Sequence, residues 1–149
     1  KQSDLLERAL AIQEKHYGTE HFKLAKTLAN LSVAYGQLDD HEKKKELLER
    51  ALVLQEQHCG TDHFQVAKTL NNLGNAYKDL GDYKKSKELL ERTLALQEQH
   101  YGIEHEYVGL TLNDLASAYG QLGEHEKQKA LIKRASDILL ETYIKSAIR

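Results

Sequence analysis

The sequence predicts an all-α protein, an array of antiparallel helix pairs, on three observations. It contains no proline among 149 residues, and proline interrupts helices by removing an N–H and clashing with the preceding turn. Its apolar residues recur at helical spacing. And the chain repeats itself every 42 residues: LLERAL at Leu47–Leu52 has counterparts at Leu5–Leu10 and, as LLERTL, at Leu89–Leu94. Aligning residues 5–46 with 47–88 gives 26 identities, and 47–88 with 89–130 gives 23. Such self-similarity marks a repeat architecture.

The first helix, Ser3–Tyr17, reads as the second half of a repeat whose first half is absent, so its LLERALAI stripe lacks its usual cover. Each later copy holds two helical patterns. From Asp62 to Leu80, Val66, Leu70, Leu73 and Tyr77 form one apolar stripe. Asp62 is expected to cap that helix, with Gln65 three residues on, and Gly81 to end it in the left-handed conformation. The next helix is expected from about Tyr83 to Tyr101, burying Leu89, Leu90, Thr93, Leu94 and Leu96, with Gly102 stopping it as Gly18 and Gly60 stop its equivalents. In the last copy Ile144 stands in the stop-glycine slot, so the helix continues toward Ile148, with Ile138, Leu139, Tyr143, Ile144 and Ala147 widening its apolar surface. Neither helix of a pair can bury its stripe alone, so copies must stack. The expected division is 1–18 for the truncated repeat, then 19–60, 61–102 and 103–149 with the extended helix.

Within the middle copy, Leu70, Leu73, Gly74, Tyr77, Gly81 and Tyr83 spell L-x2-L-G-x2-Y-x3-G-x-Y. The first copy has Leu28, Leu31, Ser32, Tyr35, Asp39 and His41 at those places, and the third Leu112, Leu115, Ala116, Tyr119, Gly123 and His125. This pattern resembles the tetratricopeptide repeat. The 42-residue period, and the junctions GTEHFKLA and GTDHFQVA, are similar to the longer class found in kinesin light chain. There are departures. Phe22, Phe64 and Glu106 stand where that class has proline, and a slot favouring a small residue holds Lys44, Ser86 and Gln128. The long side chains there must pass the helix contact by snorkelling. Eight residues beyond the usual repeat, fully helical, add about 12 Å to the second helix. The resemblance implies a right-handed superhelical solenoid of about seven helices, and a non-enzymatic scaffold that holds a protein or peptide.

Composition agrees. A formal charge of −2 gives no net attraction to phosphates, so nucleic acid is not an expected partner. No apolar run approaches the length that spans a bilayer. A lone cysteine fits a reducing, cytoplasmic setting. The sequence has no Met, which suggests a piece of something longer.

No constellation suggests an enzyme, a cofactor or a metal. Cys59 occupies the slot of Tyr17 and Tyr101, and His58 beside it points elsewhere on a helix. Phosphate-cradling glycine motifs are missing. His16, His58 and His100 recur at one junction slot, His21, His63 and His105 at another, and His41 and His125 at a third, which reads as scaffold and not as a metal site. Lys43-Lys44-Lys45 and Lys84-Lys85 alternate with Glu as a solvated face would.

Comparing the copies separates scaffold from site, because a stacking residue should recur while one that meets a partner is free to vary. The slots that the resemblance assigns to the concave groove are Lys26, Ala29, Asn30, Val33 and Gln37; then Lys68, Asn71, Asn72, Asn75, Lys78 and Asp79; then Leu110, Asn113, Asp114, Ser117 and Gln121. Asn is a poor helix former, so Asn71, Asn72 and Asn75 together invite a functional reading. Their amides suit an extended peptide backbone; alternatively, Asn30, Asn72 and Asp114 bridge neighbouring helices. Lys26, Lys68 and Lys78 tilt the groove toward an acidic ligand, with Asp79 and Asp114 nearby. The alternative function is a self-assembly module that associates through its unpaired terminal helices.

Overall fold

The structure, a computed structural model, describes all 149 residues. Seven α-helices follow one another: α1 (Gln2–Tyr17), α2 (Leu24–Gln37), α3 (His41–Cys59), α4 (Ala67–Asp79), α5 (Tyr83–Tyr101), α6 (Glu106–Gln121) and α7 (His125–Ile148). Each helix packs on its neighbours in the chain, and α4 also meets α6. The result is an all-α solenoid of stacked antiparallel helix pairs, without strands.

The apolar stripes explain the stacking. Leu24 and Leu28 of α2, Leu70 of α4 and Leu112 of α6 are fully buried, as are Leu48 of α3 and Leu90 of α5. Removing each such side chain from water contributes roughly 1.5–3 kcal/mol. The core is therefore a strip that threads the array, in clusters shared between consecutive helices. Small residues set the spacing: a Cβ on Gly74 would lie 2.9 Å from Leu90 Cγ, so α4 and α5 approach where that copy carries no side chain.

Helix ends follow local chemistry. Asp40 and Asp82 cap α3 and α5 by accepting the N–H groups of Lys43 and Lys85 at 3.0 and 3.1 Å. Gly18, Gly60 and Gly102 end α1, α3 and α5 with φ of 85°, 91° and 90°. One boundary differs from the sequence expectation. Asp62 does not cap the following helix; His63 takes the extended conformation, and its Nδ1 accepts the Gln65 N–H at 3.2 Å. A single 3₁₀ turn, Phe64–Val66, then leads into α4.

Two polar ladders repeat with the array. The phenols of Tyr35, Tyr77 and Tyr119 donate to Glu7, Glu49 and Glu91 of the helix before. Arg50 donates to the Thr19 carbonyl at 3.0 Å and pairs with Glu14 at 2.6 Å; Arg92 does the same with Thr61 and Glu56 at 2.8 and 2.5 Å. At the far end Arg134 reaches Ile103 and Glu98 only at 3.3 and 3.5 Å. The next acidic slot holds Leu140, so the ladder stops there.

Candidate functional site

α2, α4 and α6 each bury one stripe, and two adjoining cavities open between them, one between α2 and α4 and one between α4 and α6. The first, of about 610 Å³, is lined by Lys26, Ala29 and Asn30 of α2 and by Lys68 and Asn72 of α4, with Gln55, His58 and Cys59 of α3 between them. The second, of about 520 Å³, shares Gln65, Lys68 and Asn72, adds Asn71 and Leu110, and has an aromatic side made by Phe64, Tyr101 and Tyr107. Lys26, Asn30, Lys68, Asn71 and Asn72 are thus brought together, as is Leu110.

The other groove slots divide. Asn113, Ser117 and Gln121 line a third depression of about 380 Å³ beside Gly120, His125 and Gln128. Gln37 sits apart, near the start of the chain beside Ser3 and Leu38. Val33 is half exposed and lines none of these cavities. Asn75 and Lys78 both engage Asp114: Asn75 Nδ2 donates to Asp114 Oδ2 at 3.2 Å, and Lys78 Nζ lies 3.6 Å from Asp114 Oδ1. Asp114 therefore bridges α4 and α6, whereas no such bond is made by Asn30 or Asn72. Asp79 is likewise engaged, 3.6 Å from His41 Nδ1.

What remains unsatisfied on this face is informative. Asn71 Oδ1, Asn75 Oδ1 and Gln55 Oε1 are buried acceptors with no hydrogen-bond partner, and such atoms are costly to leave unmade. Lys26 and Lys68 are exposed and form no ion pair with any carboxylate of the chain. Gln55 was not distinguished by sequence reasoning, because Gln13, Gln55 and Gln97 recur at one slot of the helix extension, which only the last copy changes, to Leu139. The hydrogen bonding does distinguish them: Thr111 donates to Gln97 Oε1 at 2.6 Å, while Gln13 and Gln55 keep free acceptors.

A further feature joins two helices in each copy. Lys44 crosses from α3 to lie over Gly36 of α2, its Cδ 3.1 Å from where a glycine Cβ would stand, and Gln128 of α7 lies over Gly120 of α6 in the same way. In the middle copy the corresponding residues are Lys78 on α4, which reaches Asp114 of α6, and the fully buried Ser86 on α5. Lys44 is half-buried against α2, as expected of a long side chain that must pass the helix contact at that slot, so the Lys43–Lys45 run is not solvated throughout.

The histidines serve the junctions. His58 lies flat on Phe22 and His100 on Phe64, ring centroids 3.8 Å apart in both. His21, His63 and His105 accept the N–H groups of Lys23, Gln65 and Tyr107 at 3.1–3.2 Å. His58 and His63, adjacent across a turn, thus engage different rings, Phe22 and Phe64. No three His, Cys, Asp or Glu side chains converge in a way that could hold a metal ion.

Comparison with known proteins places this geometry. Tetratricopeptide repeat family models match residues 45–99, 65–141 and 24–65. The crystal structure of BtubC (BKLC) from P. vanneervenii superposes with a TM-score of 0.85 at 26% identity, covering 95% of this chain and 56% of that one. A Podosopora anserina putative kinesin light chain with nearly identical TPR-like repeats superposes with a TM-score of 0.78 at 27% identity, covering 95% and 66%. A crystal structure of MamA, at 20% identity and a TM-score of 0.63, shares the fold. The chain therefore spans between about half and two-thirds of the length of these structures. No protein of curated function matches it in sequence.

Proposed function

Because the chain belongs to the tetratricopeptide repeat family, whose fold serves protein–protein interaction and scaffolding, we propose that it holds an extended, acidic protein segment on the concave face formed by α2, α4 and α6. The observation that carries this reading is the pair of adjoining cavities that share Gln65, Lys68 and Asn72 and are bordered by unmet acceptors. An extended peptide supplies main-chain N–H groups to Asn71 and Gln55, and its carboxylates answer Lys26 and Lys68. In this reading the segment also reaches Asn113, Ser117 and Gln121 of α6 and Val33 and Gln37 of α2. Asn75, Lys78 and Asp114 keep α4 and α6 in register beneath it. The role is that of a non-enzymatic binder, and the free thiol of Cys59 suits a cytoplasmic setting. No helix is long and apolar enough to cross a membrane.

The test is selection of binding peptides from a displayed random library, followed by titration against Asn71→Ala/Lys68→Gln. A loss of about tenfold or more supports the groove; unchanged affinity with an intact fold refutes it. A second reading, self-association through the terminal helices, is favoured by Leu5 and Ile12 of α1 (66% and 70% exposed) and Tyr143 and Ile148 of α7 (70% and 80%). Light-scattering mass distinguishes it: a concentration-dependent rise supports end-to-end assembly, and a constant monomer mass excludes it.

A further inference from the structure

The exposed side of α7 differs from that of the helices it repeats. Ile132 is 44% exposed, where its counterparts Leu48 and Leu90 are fully buried. A repeat stacked there in the register of the other copies would find neither ladder acceptor. Lys133 stands in the slot of Glu7, Glu49 and Glu91, and Leu140 in that of Glu14, Glu56 and Glu98. The end of an array normally turns a polar face to water. Here Ile132, Ser136, Leu140, Ile144 and Ile148 form an exposed row at four-residue spacing, apolar but for the small Ser136. Contiguous apolar surface of this kind marks an interaction site. Beside it runs a second exposed row, Lys129, Lys133, Asp137 and Glu141. Its order, two cations and then two anions, belongs to α7 alone: α3 has Lys45, Glu49, Val53 and Gln57 at those slots, and α5 has Lys87, Glu91, Ala95 and Gln99.

We propose that this side of α7 pairs with α7 of a second molecule, antiparallel, about a twofold axis level with Ala135; the inference deepens the second reading above and rests on it. In that register Lys133 faces Asp137 of the other molecule and Lys129 faces Glu141, and symmetry makes each pair twice. Parallel pairing in register would set like charges opposite one another. Rows at i, i+4 spacing on both helices are the ones that meet in the commonest class of helix crossing. The apolar rows then come together. Ile132 falls between Ser136 and Leu140 of the other molecule, and Leu140 between Gln128 and Ile132, which line the open depression of about 380 Å³. Within one molecule Lys133 lies 3.2 Å from Asp137, and Lys129 lies 3.7 Å from Glu126. Such exposed pairs stabilise little, so exchanging them across the axis costs little. The charges set direction and register, and the apolar row supplies affinity. A contact of α7 with α7 is isologous and closes at two molecules, whereas α7 against α1 would be heterologous and would grow into a filament.

The test is sedimentation velocity of the full chain across about 5–500 µM. The mass should rise from 17.0 kDa to twice that and stop. Leu140→Glu, which restores the residue of the other copies, should weaken association by about tenfold or more, and Leu5→Glu on α1 should leave it unchanged. Lys133→Glu and Asp137→Lys each set like charges across the axis, so each alone should associate about tenfold more weakly than the parent. Mixed in equal amounts, the two should pair with each other at close to parental affinity, a rescue that no contact within one chain can give. Circular dichroism checks that each variant is folded. A constant mass of 17.0 kDa overturns both the pairing and the self-association reading. Growth beyond two molecules, loss of association in Leu5→Glu, or no rescue on mixing overturns the α7 pairing and leaves self-association through another surface standing.

Discussion

The imidazole of His100 lies flat on the ring of Phe64, with centroids 3.8 Å apart and planes within 3° of parallel. His58 repeats the arrangement on Phe22, within 7°. Both phenylalanines occupy the junction slot where the related class carries proline. Proline would stiffen the backbone there; phenylalanine instead ties the turn to the second helix of the same copy through a stacked pair.

Phe64→Ala should therefore lower unfolding free energy by about 1–2 kcal/mol, combining the lost stack with lost packing. At the third junction the slot holds Glu106, opposite Thr142, and no ring pair forms. Glu106→Ala should change stability by less than about 0.5 kcal/mol. Urea denaturation of the two variants measures the contrast.

The tyrosine ladder predicts alkaline lability. Burial, and then the hydrogen bonds to Glu49 and Glu91, push the phenols of Tyr77 and Tyr119 from 10.0 up to about 12. Groups that hold their protons more tightly in the folded state stabilise it fully below pH 10 and lose that contribution as pH rises toward about 12. The urea midpoint should fall through that interval. In Tyr77→Phe/Tyr119→Phe the fall should be shallower, from a lower value at neutral pH.

Asp39 is the one residue other than glycine with positive φ, 59°, in the slot that Gly81 and Gly123 fill with φ of 83° and 80°. Asp39→Gly should raise stability by about 0.5–1 kcal/mol by relieving the left-handed strain. Gly81→Ala should lower it by about 1 kcal/mol. Nothing lies within 4 Å of the added methyl, so that cost is conformational alone. Thermal melts of the pair should move in opposite directions.

The arginine ladder is testable by a double-mutant cycle at Arg92 and Glu56. Both side chains are partly exposed, so their coupling should be about 0.5–1 kcal/mol and should shrink as salt is raised. Arg92 also donates to the Thr61 carbonyl at 2.8 Å. Arg92→Lys should therefore cost more than Glu56→Gln, because a lysine cannot supply both bonds at once. A coupling near zero at low salt would show that the ladder contributes nothing measurable.

The helices were legible because each signal is local. The stripe Val66, Leu70, Leu73 fixed the buried side of α4, and Gly60, Gly81 and Gly102 marked turns that the structure places there, φ positive at all three. The candidate face was legible in part. Comparing copies picked out Lys26, Lys68, Asn71 and Asn72, which line the two main cavities, but also Asn75, Lys78 and Asp114, which bond to one another. Nothing in a single helix distinguishes a side chain that meets a ligand from one that meets the next helix.

By itself the sequence determined the repeat length, the helix type and order, and the turns, since backbone periodicity and left-handed positions are properties of neighbouring residues. Tertiary structure alone decided how His100 meets Phe64, which acceptors go unmet, and where the long side chains of Lys44 and Gln128 lie. Those outcomes depend on the separation of packed helices and on the volume left between them. Lys44 over Gly36 is the plainest case: the repeat pattern puts its long side chain at a helix contact, and the missing side chain of Gly36 on the facing helix gives it room to lie there.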